Sequence, residues 1–369
     1  MHEALKKQDD EALYVASQWR LMRIKFARHR LARLGGTVVV LFYLVAILAE
    51  FIAPYDPRWR DIKNLSVPPA RIRIVDESGK LRAPFVYAPT RARDPVTLQA
   101  IYTEDRSRRY AIRIFARGDS YKLWGLFRSD LHLFGVEENL RAYFLGGDEQ
   151  GRDLLSRIMY GTRISLSIGF VGVALSFGIG IVMGAISGYF GGVADVIIQR
   201  VIEVLLSIPS LPLWMALSAG IPLDWSIYKV FFAITLILSL ISWPGLARVV
   251  RGQLLSLRSE EFVIAAKVSG ATENRVMFRH LVPSFLSYII ALSTLAIPGM
   301  ILGETSLSFL GIGLQPPAIS YGTLLKAAQN VKTVMAEPWL LIPGLFVVVI
   351  ILSFNFLGDG LRDAADPYK

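Results

Sequence analysis

The sequence predicts an all-α polytopic membrane protein with six transmembrane helices: one N-terminal anchor, then a five-helix core. A β-rich extracytoplasmic insertion separates the two. Three observations predict this. Of 369 residues, 53% are hydrophobic and mean hydropathy is +0.45, well above an ordinary soluble domain. Six stretches, at 35–53, 164–190, 204–222, 230–247, 281–303 and 338–358, have the roughly 20 apolar residues that a spanning helix needs. The last five carry no charged residue.

The elements follow in order. Residues 1–33 form a basic arm with eight Lys/Arg against four acids, which holds that end in the cytoplasm. The span 34–53 follows a long polar arm and outruns a signal-peptide core, so it is expected to stay as an anchor. The segment 54–163 holds 20 Lys/Arg and 14 Asp/Glu and is expected outside, because long loops translocate regardless of charge. Its alternating runs 71–75, 81–87, 110–115 and 121–127 predict two hairpins, turning at 76–79 and 117–119. The core occupies 164–358. In its first helix Gly172, Ser176, Gly180, Gly184 and Gly188 recur every four residues, a small-residue face for close helix packing. Pro209, Pro212, Pro244 and Pro298 interrupt later spans.

The loop 248–283 carries six Lys/Arg and three acids, so it is cytoplasmic; four spans separate it from the N-terminus, in agreement with the arm. A tail at 359–369 is then cytoplasmic too. Trp225, Tyr228 and Trp339 outside, and Trp243 inside, read as the aromatic belt. Within the loop, Ser259 and the acids Glu260 and Glu261 start a helix that Gly270 ends at positive φ. Thr272 caps a second helix, and Pro283 leads into the next span. Phe262, Val263 and Met277 are the expected apolar contacts, and Arg275 and Arg279 the charged ones. Physics alone leaves a docking knob and a solvated connector equally open.

Resemblance decides between them. Ala265, Ala266, Gly270 and Pro283 fall on the spacing of the coupling loop of bacterial ABC importer permeases, Glu-Ala-Ala, three residues, Gly, nine residues, Ile, any residue, Leu-Pro. Ile264, His280 and Val282 depart from it. The missing Glu leaves two readings open: no charge contact there, or one supplied by Glu260 or Glu261. Trp19 to Arg33, Ala53-Pro-Tyr-Asp-Pro57, Leu145-Gly-Gly-Asp-Glu-Gln-Gly-Arg-Asp153, Tyr160-Gly-Thr-Arg163, Tyr189-Phe-Gly-Gly192, Glu304-Thr-Ser-Leu-Ser-Phe-Leu-Gly311, Gln315-Pro-Pro317, Pro338-Trp339 and Asn355-Phe-Leu-Gly-Asp-Gly-Leu-Arg-Asp363 resemble the dipeptide/oligopeptide/nickel permease subfamily, its second-permease subunit. The resemblance covers nearly everything except 58–143. It implies an ABC type I importer core in the bacterial inner membrane, a heterodimer with a second permease, two cytoplasmic ATPases and an extracytoplasmic solute-binding protein. Glu261, Ala265, Ala266, Gly270, Arg279 and Pro283 would then couple to the ATPase.

The sequence excludes other classes. It has no cysteine, hence no disulfide or thiolate chemistry. His2, His29, His132 and His280 are too scattered for a metal cluster, and no G-x-x-x-x-G-K-[ST] loop binds ATP. No cofactor is expected. The net charge of +10 resides in membrane-flanking segments, so nucleic acid is not an expected partner and membrane lipid is. A carrier or channel driven by an ion gradient is the alternative; it would place charged pairs at mid-span, which the clean spans lack. Glu304, at the end of the fifth span, has two readings. Either it lines the translocation path or gate with Ser306 and Met300, or it bonds to nearby backbone or Ser306 as an interfacial structural group, the reading favoured here. Asp195, Arg200 and Glu203 predict a local ion pair, and Asp359, Arg362 and Asp363 interfacial anchors.

Overall fold

The computed structural model describes residues 18–365 apart from 77, 94, 96–99, 137–139 and 223. Most of the basic arm (1–17), the end of the tail (366–369) and Glu77 of the expected 76–79 turn lie outside the described residues. The protein is mostly helical. Among the described residues five helical segments are long and apolar enough to cross a membrane: Arg30–Ile47, Leu154–Phe190, Ile227–Leu257, Leu286–Phe309 and Pro338–Ala365. A sixth crossing exists only if the pair Gly192–Ser207 and Ser210–Ser218 counts as one.

That pair falls on the expected span at 204–222, starts twelve residues before it, and breaks at Pro209. The two helices meet at 89°. Ile208 and Pro209 between them are extended, at ψ 129° and 130°. Proline drives its predecessor out of the helical region, and its own missing N–H removes a rung of the helix. By contrast Pro244 and Pro298 lie inside continuous helices. Other bounds move as well. The second span starts ten residues early, at Leu154, and the fifth starts at Leu286 rather than 281. Asp153 caps the former: its Oδ2 accepts from the Ser156 amide at 2.7 Å. Burial pushes its carboxyl up to about 6.

Between the first two spans lies one antiparallel sheet in the order β1-β2-β3-β4. Its strands are β1 Arg73–Val75, β2 Leu81–Arg93, β3 Ala100–Leu123 and β4 Phe127–Val136. The first expected hairpin is present, with Val75 opposite Leu81. The second turns elsewhere. β3 runs through the expected turn at 117–119 as a register shift and reverses after Leu123. Asp119 explains the bulge: its carboxylate accepts from the Asp56 amide at 3.0 Å and from Arg141 at 2.9 Å. Gly118 lies against His132, where a Cβ would come within 2.9 Å.

The chain packs as two units. One holds Met1–Val40, Ile168–Gly303 and Val349–Lys369; the other holds Leu41–Ser167 and Glu304–Val348. In the first, the small-residue face of Leu154–Phe190 meets the backbone of Ile227–Leu257. A Cβ built on Gly180, Gly184 or Gly188 would lie 3.0, 2.5 or 2.7 Å from the carbonyl oxygens of Trp243, Ala247 and Arg251. Ser239 donates to the Gly172 carbonyl at 3.0 Å. Trp243 is 5% exposed and packs with Ile198, Ile202 and Ala247 in this core, not in an aromatic belt.

In the second unit, the end of Arg30–Ile47 is fastened by Arg163. Its guanidinium donates to the Ala46 carbonyl at 2.6 Å and to both carboxylate oxygens of Glu50. Trp339 donates to the Gly147 carbonyl at 2.9 Å and covers Gly146, so it too serves packing.

Candidate functional site

The loop after Ile227–Leu257 folds into a compact knob. The helix Glu261–Val268 begins at Glu260, which makes no side-chain cap bond; Ser259, the expected cap, lies one residue too early. Acids at its start and Lys267 in its last turn suit the helix dipole. Its end is fixed by two crossing bonds, Ala271 N–H to the Ala266 carbonyl at 3.1 Å and Gly270 N–H to the Lys267 carbonyl at 2.9 Å. These are the six-to-one and five-to-two bonds of a Schellman cap. Gly270 takes the left-handed position, with φ 80°, as its place in the sequence predicts.

The return is not a second regular helix. Glu273–Arg275 gives way to a π-helical turn at Val276–Leu281, and Val282–Ser284 follows. Thr272 precedes it in extended backbone without a side-chain cap bond. The wider turn points Val276, Met277 and Leu281 together into the core, alongside Val263, Val250, Leu254 and Phe285.

This arrangement divides the predicted site residues. Positions 261, 264, 265 and 268 recur at helical spacing, and all four are exposed. Val268 is 84% exposed, whereas Val263 is wholly buried. Glu261, Ala265, Gly270, Arg279 and Pro283 are open to contact, while Ala266 is half-buried against the knob's own core. Val263 and Met277, expected as partner contacts, hold the knob together instead. The exposed apolar side chains are Phe262, Ile264, Val268 and Phe278. Ile264, which stands where the importer pattern has Glu, therefore lies on the outward ridge between Glu261 and Val268.

Two attachments were missed in the sequence. Tyr189, in the last turn of Leu154–Phe190, donates its hydroxyl to the Glu273 carboxylate, and the Lys267 ammonium lies 5.0 Å from its ring centroid. One side chain thus joins a spanning helix to both limbs of the knob. Nearby, Arg251 grips Asp195 with two bonds of 2.6 Å. Arg200 and Glu203 do pair, at 2.9 Å and in the open, but no local spacing could announce an Asp195 partner 56 residues away. Tyr189 gave a fainter signal, as a tyrosine where a span meets a charged loop.

Glu304 is completely buried in the second unit. Ser308 donates to it at 2.8 Å and Ser165 at 3.2 Å. Those hydroxyls accept from the amides of Leu314 and Tyr321, at 2.9 and 3.2 Å. Two loop amides are thereby tied through serines to one carboxylate, which has no ion-pair partner among the described residues. Ser306 is half-buried and makes no side-chain bond to Glu304. Met300 is buried beside Gly172. The three residues grouped as a path or gate thus occupy three different environments.

Residues 180–368 match the model of the binding-protein-dependent transport system inner membrane component, just over half of the chain. The chain belongs to that family. Residues 17–69 match the N-terminal transmembrane domain of oligopeptide transport permease C. The permease is 41% identical over 241 residues to the oligopeptide transport system permease protein OppC of Haemophilus influenzae, covering 65% of this chain and 75% of that protein. It is 34% identical over 343 residues to the dipeptide transport system permease protein DppC of the same organism, covering 93% and 92%. A solved chain of the inward-facing MetNI methionine ABC transporter is 18% identical, with a TM-score of 0.42, across 57% of this chain and 96% of that one. Family and apolar helices together make the permease a multi-pass inner-membrane component.

Proposed function

We propose that the chain is a transmembrane permease subunit of an ATP-driven, binding-protein-dependent importer of peptides or similar small solutes. It would form half of the translocation path with a second permease, and two cytoplasmic ATPases would hydrolyse the ATP. An extracytoplasmic solute-binding protein would deliver the cargo. Its relatives' names, oligopeptide and dipeptide transport system permease proteins, support the cargo class.

The observation that carries the coupling role is the outward ridge of Glu261, Ile264, Ala265 and Val268 on a knob whose inner face is fully packed. A connector resting free in solvent has no need of a closed core, a Schellman cap and a tie to a spanning helix. On this reading the ATPases push the ridge, the knob moves as one body, and Tyr189 passes the displacement to Leu154–Phe190. Ile264 makes the contact apolar at the ridge centre and leaves Glu260 and Glu261 to supply charge. Both chain ends and the knob are then cytoplasmic, and the sheet 73–136 is outside. The test is to reconstitute the complete transporter in liposomes with an Ile264→Lys, Val268→Lys variant. Uptake should fall at least tenfold while the subunit still inserts; unimpaired uptake would remove the ridge from the coupling path.

A further inference from the structure

The tip of the β3–β4 hairpin is built unlike a solvent-exposed turn. Trp124 and Gly125 sit at its apex with φ 53° and 75°. Left-handed backbone suits Gly or Asn, and a tryptophan adopts it against its preference. Leu126 and Phe127 follow, 75% and 62% exposed. Turn ease and water solubility both argue against this sequence, so something else must favour it.

What lies beside the tip says what that is. The Trp124 indole donates to the carbonyl of Ile47 at 2.8 Å. Ile47 is the last residue of the spanning helix Arg30–Ile47, and the apolar stretch continues to residue 53. The same carbonyl accepts from Arg163 at 3.1 Å. One turn on, Phe51 meets Phe115 of β3 with ring centroids 6.3 Å apart. The tip is therefore pinned to the end of a helix long and apolar enough to cross a membrane, and its apolar side chains are exposed, as are Leu41, Leu44 and Ile47 in the last turns of that helix.

Charge points to the same partner. Lys122 and Arg128 stand directly opposite each other across the hairpin. Both are exposed, and neither belongs to an ion pair among the described residues. Like charges so placed repel, and an anion between them would relieve it. A pair of cations just outside aromatic and aliphatic side chains is the pattern of an interfacial anchor, with the cations at phosphate level and an indole at the headgroup boundary.

We propose that this hairpin tip dips into the membrane interface. Trp124, Leu126 and Phe127 enter the headgroup–acyl boundary, and Lys122 and Arg128 bind lipid phosphate. The sheet is thereby held at two points, the first span and the lipid. The inference requires that Arg30–Ile47 spans the bilayer, but neither the transport reading nor the orientation.

The absence of cysteine makes the test direct. A nitroxide is attached to Leu126→Cys, and separately to Phe127→Cys, in the complete complex reconstituted in 3:1 phosphatidylethanolamine:phosphatidylglycerol vesicles. Ile101→Cys, some 20 residues back along β3, is the reference. Collisional access should favour oxygen over a water-soluble nickel chelate at least threefold at the tip, and the reverse at residue 101. The tip contrast should shrink in a Lys122→Gln, Arg128→Gln background. A tip open to the nickel chelate would overturn the proposal, because the hairpin would then lie in water. A tip shielded from both reagents would overturn it equally, because protein would cover it.

Discussion

Gly270 offers the sharpest separation of backbone geometry from surface contact. Its φ of 80° places any L side chain in the left-handed region, at a cost of about 1–2 kcal/mol. A Cβ added there would meet nothing within 4 Å, so sterics add no further cost. The effect is therefore purely conformational, and about 1.4 kcal/mol shifts the capped knob's population tenfold. Asparagine tolerates this region better than alanine, and a β-branched valine tolerates it least. The series Gly270→Asn, Gly270→Ala and Gly270→Val should thus lose coupled uptake in that order, with Val at least tenfold down. Membrane insertion should stay at the wild-type level throughout, since the core beneath is untouched. Uptake and ATP hydrolysis are measured in proteoliposomes of the complete transporter. Valine coupling as well as glycine would refute the role of the cap; asparagine failing as badly as valine would show that bulk at a contact surface, not φ, is decisive.

Four further outcomes follow from the packing. Tyr189→Phe keeps the ring under Lys267 but loses the bond from a buried hydroxyl to the exposed Glu273, worth about 1 kcal/mol; uptake per ATP should drop roughly fivefold by that energy, with assembly intact, as measured by paired uptake and hydrolysis rates. Gly184→Val forces apart two helices already in contact and should lower stability by about 1–3 kcal/mol, seen as loss of monodisperse protein on heating. Glu304→Gln replaces an acceptor by a donor facing hydroxyls whose protons already point at it, so stability should fall by about 1–3 kcal/mol; unchanged melting with altered transport would restore the path reading. Asp153 has a raised native pKa of about 6 against 3.8 unfolded. The native state therefore binds the extra proton in that window, and stability should decline as pH rises from about 4 to 6. Asp153→Asn keeps the cap and should flatten that slope in a pH series of melting curves.

Much of this was legible in the sequence because membranes impose one-dimensional rules. Apolar length announced the spans, and the four-residue recurrence of Gly172 to Gly188 announced a close helix contact. Gly270 announced its cap because few residues accept that backbone. Three kinds of feature were hidden. Pro209 looked like the kinks at Pro244 and Pro298, and only neighbouring packing decides which proline breaks a helix and which merely sits in one. The turn moved from 117–119 to 124–126 because Asp119 is claimed by Asp56 and Arg141, the first some 60 residues away. The knob's inside and outside were exchanged at Met277 because a π-helical turn rotates the return limb by a fraction that regular periodicity does not foresee, and at Val263 because the outward ridge of its helix is the one through residues 261, 264, 265 and 268.

The central claim is that the knob receives motion from an ATP-hydrolysing partner, and one crosslinking experiment tests it most directly. In the cysteine-free chain, a photoreactive label at Val268→Cys probes the ridge and one at Ser269→Cys its margin. In membranes holding the whole transporter, the ridge label should capture the ATPase subunit, with a yield that changes when ATP is trapped. Capture of lipid alone, or an ATPase yield indifferent to nucleotide at both positions, would contradict the account.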